Sequence, residues 1–487
     1  MPPPLPSQQF LEDLTTIETL AWTPVRRASD LARNLDDIYQ RAANAKFAYY
    51  DLNAVARAAP DLMYRLFDLR IALRSRIPEF EQKGFMTKEV AQGLRNVFRV
   101  LRYVSDMLGE IAIGHERLEH GEPTQRAFTG GDRNTLVNYA YQKGVDLPLQ
   151  SGDVILVRGH LHNSAAIARI GDVDSQFSHI GIVYIDADKK GWMVESLIEE
   201  GAVISPLGAA LDHGLVRAVL YRHKNDKLAS RAAEAIHAYV AASRGPSGKP
   251  ILYDFSMRLD ERRDLFCSKL VRLAYEKGSN AEMKLPSYQT LIHMKNDDFL
   301  RRIGVACETT FAPADIDLES CFDLVAEWQD YRETSNTRLQ DFTMDKLFSW
   351  METHDLKFQE TFLIRVVAML GRFSAKLSSR ARDLLASVFP RVPPNMRKRT
   401  IATVAMLHKT AEPLYHELQE YERRRIAETG APLHGLEILD LLEGIRIREK
   451  NRIGYLRPRR GSGTPAAARV AEASRDGAQL QPGGAGA

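Results

Sequence analysis

At 487 residues the chain is longer than one ordinary core; domains run about 100–200 residues, so two to four units are expected. Hydrophobic residues make up 44% and charged residues 26%, which excludes a fibrous or mainly disordered chain, and a net charge of +3 gives no general argument for binding nucleic acid. Three cysteines, Cys267, Cys307 and Cys321, are too few and too odd in number for a disulfide scaffold and suit a reducing compartment.

The chain opens Met1-Pro2-Pro3-Pro4-Leu5-Pro6, with neither a basic region nor an apolar stretch of secretory type. No run of about 18 apolar residues occurs to cross a membrane. The expectation is a soluble cytoplasmic protein, with signal-independent export left open. Residues 1–28 read as an extended segment rich in proline, and 29–145 as a helical region. Its clearest helix carries Leu94, Val97, Leu101, Val104, Leu108 and Ile111 at alternating three- and four-residue spacing, with Thr87 as its cap. From about 150 the period changes. Asp153–Val157, His179–Ile185 and Trp192–Ile198 read as strands, the last two joined by a polar loop that ends in Gly191. Lys227–Ala242 and Leu265–Lys277 read as helices. Residues 323–455 return to helical patterning, and 456–487, rich in Gly, Ala, Pro and Arg, read as a disordered tail.

Three residues draw attention for chemistry. Cys267 falls in the first turn of a helix, where unpaired amides and the helix dipole favour an anion and can bring a thiol from about 8.5 into the range of about 3.5–7.5. His179 stands at the mouth of an apolar strand. Glu195 interrupts the next strand. If Ile185 pairs with Gly191, Gly181 faces Glu195, and His179 lies diagonal to Glu195 on the same face, about 7–8 Å away at the backbone. A carboxylate there can fix an imidazole tautomer; a one-residue slip would separate the two. The bland alternatives are an inert buried cysteine, a structural histidine and a solvated strand glutamate. Cys307 and Cys321 keep the bland reading.

Taken in chain order, His, Glu, Cys is what a circular permutation of a papain-like arrangement would give. The stretch from Gly152 to Tyr275 resembles the permuted papain-like amidases of the YiiX/YaeF type, relatives of the NlpC-type cysteine peptidases. The resemblance rests on Gly152-Asp153-Val154-Ile155-Leu156, Phe177-Ser178-His179-Ile180-Gly181, Val194-Glu195-Ser196, Tyr253-Asp254-Phe255 and Phe266-Cys267-Ser268-Lys269-Leu270-Val271. Where the family often has Cys-Ser-Glu-Leu-Val, Lys269 replaces the glutamate.

This resemblance implies an α+β fold. A central permuted papain-like (NlpC-related) domain, residues 146–322, would hold a small antiparallel sheet and the nucleophile-bearing helix; the resemblance covers neither flank, and helical patterning makes 29–145 and 323–455 all-α regions around it. It implies Cys267 as nucleophile, His179 as base and Glu195 as orienter, with Tyr253, Asp254 and Ser268 supporting the oxyanion or the site. The reaction implied is that of a cysteine hydrolase acting on a peptide, acyl-amide or lipid-like substrate through an acyl-enzyme. An acyltransferase of the lecithin–retinol acyltransferase-like type, or a scaffold working through the helical flanks, are the competing readings. No cofactor is implied. His160-Leu161-His162 is a poor zinc pattern, and Gly245–Pro250 lacks the residues of a phosphate loop. The basic run from Arg446 to Arg460 reads as a solvated helix end, and the helices at 363–389 and 396–426 as packed on each other rather than on a membrane.

Overall fold

The computed structural model describes residues 7–120, 134–142, 147–212, 215–260, 263–292, 297–374 and 392–459. The first helix, α1 (Ser7–Trp22), corrects the reading of 1–28 as extended. Phe10, Leu14, Ile17 and Ala21 recur every three or four residues and are buried as one stripe. The prolines that suggested an extended chain at residues 2, 3, 4 and 6 all precede the helix, outside the described residues.

Helices α2 (Ala28–Ala43), α3 (Leu52–Ser75), α4 (Ile77–Gln82) and α5 (Lys88–His120) follow. In α5 the whole expected stripe from Leu94 to Ile111 is buried, and the Thr87 hydroxyl accepts from the Val90 amide at 3.4 Å as a cap does. Asp51 caps α3 through the amides of Asn53 and Ala54.

The central sheet is fully antiparallel and has seven strands. These are β1 (Asn134–Val137), β2 (Val154–Gly159), β3 (His179–Ile185), β4 (Gly191–Leu197), β5 (Gly201–Pro206), β6 (Leu215–His223) and β9 (Phe322–Gln329), in the order β1-β9-β6-β2-β3-β4-β5. Short helices α6 (His162–Ile167) and α7 (Leu207–Asp212) sit in its connections. Two-residue strands β7 (Thr290–Leu291) and β8 (Thr309–Thr310) pair apart from it.

The sheet is thus larger than the small one expected, and the flanks are not purely helical. β1 comes from the region read as N-terminal helices, and β9 straddles the boundary drawn at 322 yet lies between β1 and β6. Alanine and glutamate in Phe322–Gln329 mask its strand character. Glu327 is a buried strand residue because Arg70 of α3 reaches it at 2.5 Å.

Alternation divides the sheet's side chains. Val154, Leu156, Ile180, Ile182, Val194 and Val219 face a core shared with α8 (Asp226–Arg244), α9 (Cys267–Gly278) and the N-terminal helices. Ile155, Val183, Met193, Leu220 and Val325 form a smaller core on the other face. A further core joins α10 (Asp297–Ile303), α11 (Thr334–Thr353), α12 (Phe362–Ser374), α13 (Lys398–Thr429) and α14 (Gly435–Arg448).

Buried ion pairs stitch these cores together. Arg102 of α5 meets Asp317 at 2.7 Å, and Arg338 of α11 meets Glu110 of α5 at 2.6 Å and Glu422 of α13 at 2.7 Å. Leu456–Pro458, read as tail, forms β11 and pairs with β10 (Leu356–Phe358). The rest of that tail reading, from 460, and residues 375–391 of the helix expected at 363–389 lie outside the described residues.

Candidate active site

The β3–β4 hairpin has the register that the loop composition suggests: Ile185 pairs with Gly191 and Ile182 with Val194. Continuing this pairing sets Gly181 beside Glu195. A Cβ on Gly181 would stand 2.5 Å from Met193 Sδ and 3.4 Å from Glu195 Cβ, so the absence of a side chain lets the strands close here. His179 Nε2 lies 2.8 Å from Glu195 Oε2. The other carboxylate oxygen accepts from the Ser205 hydroxyl at 2.9 Å. Ser205 lies on β5 opposite Met193, diagonal to Glu195. It was not singled out from the sequence, although extending the same register by one strand would have found it.

Cys267 is the first residue of α9, after an extended Phe266 that offers no side-chain cap. Two ladders set its position. Ser196 of β4 donates to the Leu265 carbonyl at 2.6 Å, and the Leu265 amide donates to the Leu252 carbonyl at 3.1 Å. α9 packs on the sheet face that carries Ile180 and Val194, whereas Glu195 shares the opposite face with Met193. His179, the first residue of β3, hydrogen-bonds to Glu195 and interacts electrostatically with Cys267, and so joins the two sides. With Nε2 held by Glu195, Nδ1 is the nitrogen left for the thiol.

The electrostatics follow from this contact. Burial opposes a charged imidazole at His179, yet the hydrogen bonds to Cys267 and Glu195 more than offset it and raise its pKa to about 10. Burial likewise opposes a thiolate at Cys267. The hydrogen bond and charge of His179, with help from the Ser268 hydroxyl and the Ile180 amide, bring the thiol below its ordinary value. The other cysteines go the opposite way. Burial pushes Cys307 up to about 11 and Cys321 up to about 12. Of the three, Cys267 alone is held toward the thiolate.

The remaining expected residues gather around it. Ser268 is fully buried, with its Oγ 3.9 Å from Cys267 Sγ. Tyr253 lines the same cavity as Cys267; burial, then the nearby Cys267 charge, hold its phenol well above the ordinary range, so it stays a proton donor. Asp254 accepts from the Ser256 amide and hydroxyl and pairs with Lys269 at 3.0 Å, both side chains buried. Lys269 therefore ties the Tyr253 segment to α9, which gives the departure from the usual glutamate a structural partner.

The flanks also reach the site. Arg95, Arg99 and Arg102 of α5 line the cavity beside Cys267, together with Ile170, Phe177 and Phe311. Each arginine is paired with an aspartate: Asp315, Asp174 and Asp317 respectively. From the other flank, Asn395 donates to the Tyr253 carbonyl at 2.7 Å. A second hollow opens on the imidazole side, between His179, Glu195, Ser205, Val203 and Arg244. Among the described residues no cluster of three or more His, Cys, Asp or Glu is arranged to hold a metal ion.

Residues 148–317 match the family model of the permuted papain-like amidase enzymes, YaeF/YiiX, C92 family. This bears out the resemblance noted in the sequence, and at family level it supports a cysteine-type hydrolase of the amidase or peptidase kind, with a peptide-like substrate. The matched span is about a third of the chain and ends before β9. No curated protein matches the chain. No helix among the described residues is long and apolar enough to cross a membrane.

Proposed function

We propose that the C92-type segment makes this protein a cysteine amidase, with Cys267 as nucleophile, His179 as base and then acid, and Glu195 as orienter. The observation that supports this most is the His179 imidazole hydrogen-bonded to the Glu195 carboxylate and near enough to Cys267 for each to shift the other's pKa toward the charged pair. In this reading the thiol proton resides on His179, and Sγ attacks the amide carbonyl carbon while the C=O pair moves onto oxygen. As the tetrahedral intermediate collapses, the C–N bond breaks and the amine leaves with the proton from His179. Water then attacks the thioester and gives its proton to His179; the C–S bond breaks, releasing the acid and the thiolate. The amides at the start of α9 and the Tyr253 hydroxyl are the proposed oxyanion donors. Ser268 and the Asp254–Lys269 pair position them.

The unit at 146–322 carries the chemistry, α5 of the N-terminal region lines the cavity beside Cys267, and the C-terminal region reaches the Tyr253 carbonyl through Asn395. The cavity beside Cys267 that Ile170, Phe177 and Phe311 line is apolar and narrow, about 50 Å³. A second reading is acyl transfer to an amine or alcohol. It is favoured by how little of Cys267 is exposed, 5%, since a dry site protects a thioester from water. Product analysis with an added amine separates the two.

The first test is iodoacetamide alkylation of each cysteine against pH, read by peptide mass spectrometry, in the wild type and in His179→Ala. Cys267 should react with a midpoint below the ordinary thiol value of about 8.5, ahead of Cys307 and Cys321, and should lose that lead in the variant. Equal, slow reaction at all three cysteines would remove the basis for the reading.

A further inference from the structure

Helix α12 is apolar on two opposite sides. Ile364 and Ala368, four residues apart, are buried in the core it shares with α13. Phe362, Leu363, Met369 and Leu370 recur after two turns on the other side, and they are 82%, 65%, 53% and 44% exposed. Scattered single apolar residues on a surface need no explanation, but four large ones on one helix face do.

The charge around this face indicates what covers it. Residues 360–399 contain nine lysines and arginines against two acids, Glu360 and Asp383, in a chain whose net charge is only +3. This stretch of sequence is thus basic, as is the run from Arg446 to Arg460, and the chain outside residues 360–399 is net negative. Within the described part, the Arg365 side chain is 70% exposed beside the stripe, 3.8 Å from Glu360, and Arg397, Lys398 and Arg399 are exposed where α13 begins, Arg399 pairing with Asp298 at 3.1 Å. An apolar stripe flanked by cations fits the boundary between acyl chains and anionic headgroups. The apolar residues enter the acyl boundary, and the cations stay with the headgroups.

We propose that the exposed face of α12 is a docking surface for an anionic lipid bilayer, on which the protein rests without spanning it. The face is mechanically close to the candidate active site. Arg372 of α12 donates to the Pro394 carbonyl, and the next residue, Asn395, donates to the Tyr253 carbonyl. The proposal does not depend on the chemistry assigned to Cys267.

The test is flotation of the full-length protein with vesicles of phosphatidylcholine alone or with about 30% phosphatidylserine, at about 0.1 M and 0.5 M salt. Binding should be at least about tenfold stronger to the serine-containing vesicles and should weaken at the higher salt. Met369→Glu/Leu370→Glu should lose at least about tenfold in binding with an unchanged melting temperature, because both side chains are exposed. Arg397→Ala/Lys398→Ala should flatten the salt dependence. Absence of binding by the wild type, or equal binding by the glutamate variant, would overturn the proposal. So would a concentration-dependent dimer in sedimentation that the same glutamates dissolve, since a second copy would then be the occupant. Protection of a Met369→Cys thiol from maleimide without vesicles would likewise assign the face to the chain's own residues 375–391.

Discussion

His179 has contacts that act on its proton in opposite directions. Burial favours the neutral ring; Cys267 first, then Glu195, favour the cation and prevail, lifting the pKa from 6.5 to about 10. A group raised in the folded state adds stability that is fully present below its unfolded value and is lost as pH rises through the folded value. The His179 contribution is therefore complete below about pH 6.5 and fades as pH approaches about 10. In Cys267→Ala the larger of the two raising contacts is gone while Glu195 remains. The His179 ring protons, followed by NMR, should titrate at a distinctly lower pH than in the wild type. An unchanged midpoint would mean that thiol and imidazole do not form a charged pair. Ser205 acts at the same scale, holding the carboxylate oxygen that His179 does not use.

At the scale of the element, the β3–β4 hairpin and the start of α9 decide the geometry. The hairpin register puts His179 and Glu195 on one face, and Gly181 lets their strands close. A methyl group there would press on Met193 Sδ, buried but on a flexible side chain, so Gly181→Ala should destabilise by about 1–2 kcal/mol in urea unfolding. It should also slow Cys267 alkylation, because the Met193 side chain that must move shares β4 and its face with Glu195. Full stability with unaltered reactivity would show that the hairpin tolerates the change and that Gly181 has no part in aligning the pair. Much of this was legible in the sequence, since a five-residue polar loop ending in glycine fixes which residues face one another. The contact between His179 and Cys267 was not legible, because it joins residues 88 apart through packing of α9 on β3.

The whole molecule is held together across the limits of the family match. The match ends at 317, yet β9, at 322–329, covers the edge of β6, and Glu327 within it gathers Arg70 at 2.5 Å and Arg217 at 3.5 Å. Helices α1–α5 share one core with the sheet. A chain restricted to residues 148–317 would expose the β6 edge and strip Arg102 from Asp317, leaving a carboxylate in a bared apolar surface. It should show no cooperative thermal transition by circular dichroism and should bind a hydrophobic dye, while the full-length protein unfolds cooperatively. A sharp melt of the shortened chain would show that the flanks are accessory to folding.

Local chemistry explains which features the sequence by itself determined. Strand alternation, the turn before Gly191, the stripe of α5 and the position of Cys267 at a helix start all depend on residues within a few positions of one another. With the ordered motifs from Gly152 to Val271, they were enough to indicate a permuted papain-like unit. The stripe of α1 was equally present but was overshadowed by the prolines just before it. Only the tertiary structure decided that β1 and β9 complete the sheet, that Lys269 pairs with Asp254, that α5 lines the cavity beside Cys267 and that Asn395 holds the Tyr253 carbonyl. These depend on burying charges, and a buried charge is stable only where a distant partner reaches it. Which of 66 basic residues meets which of 63 acids is settled by packing, and no spacing along the chain records it.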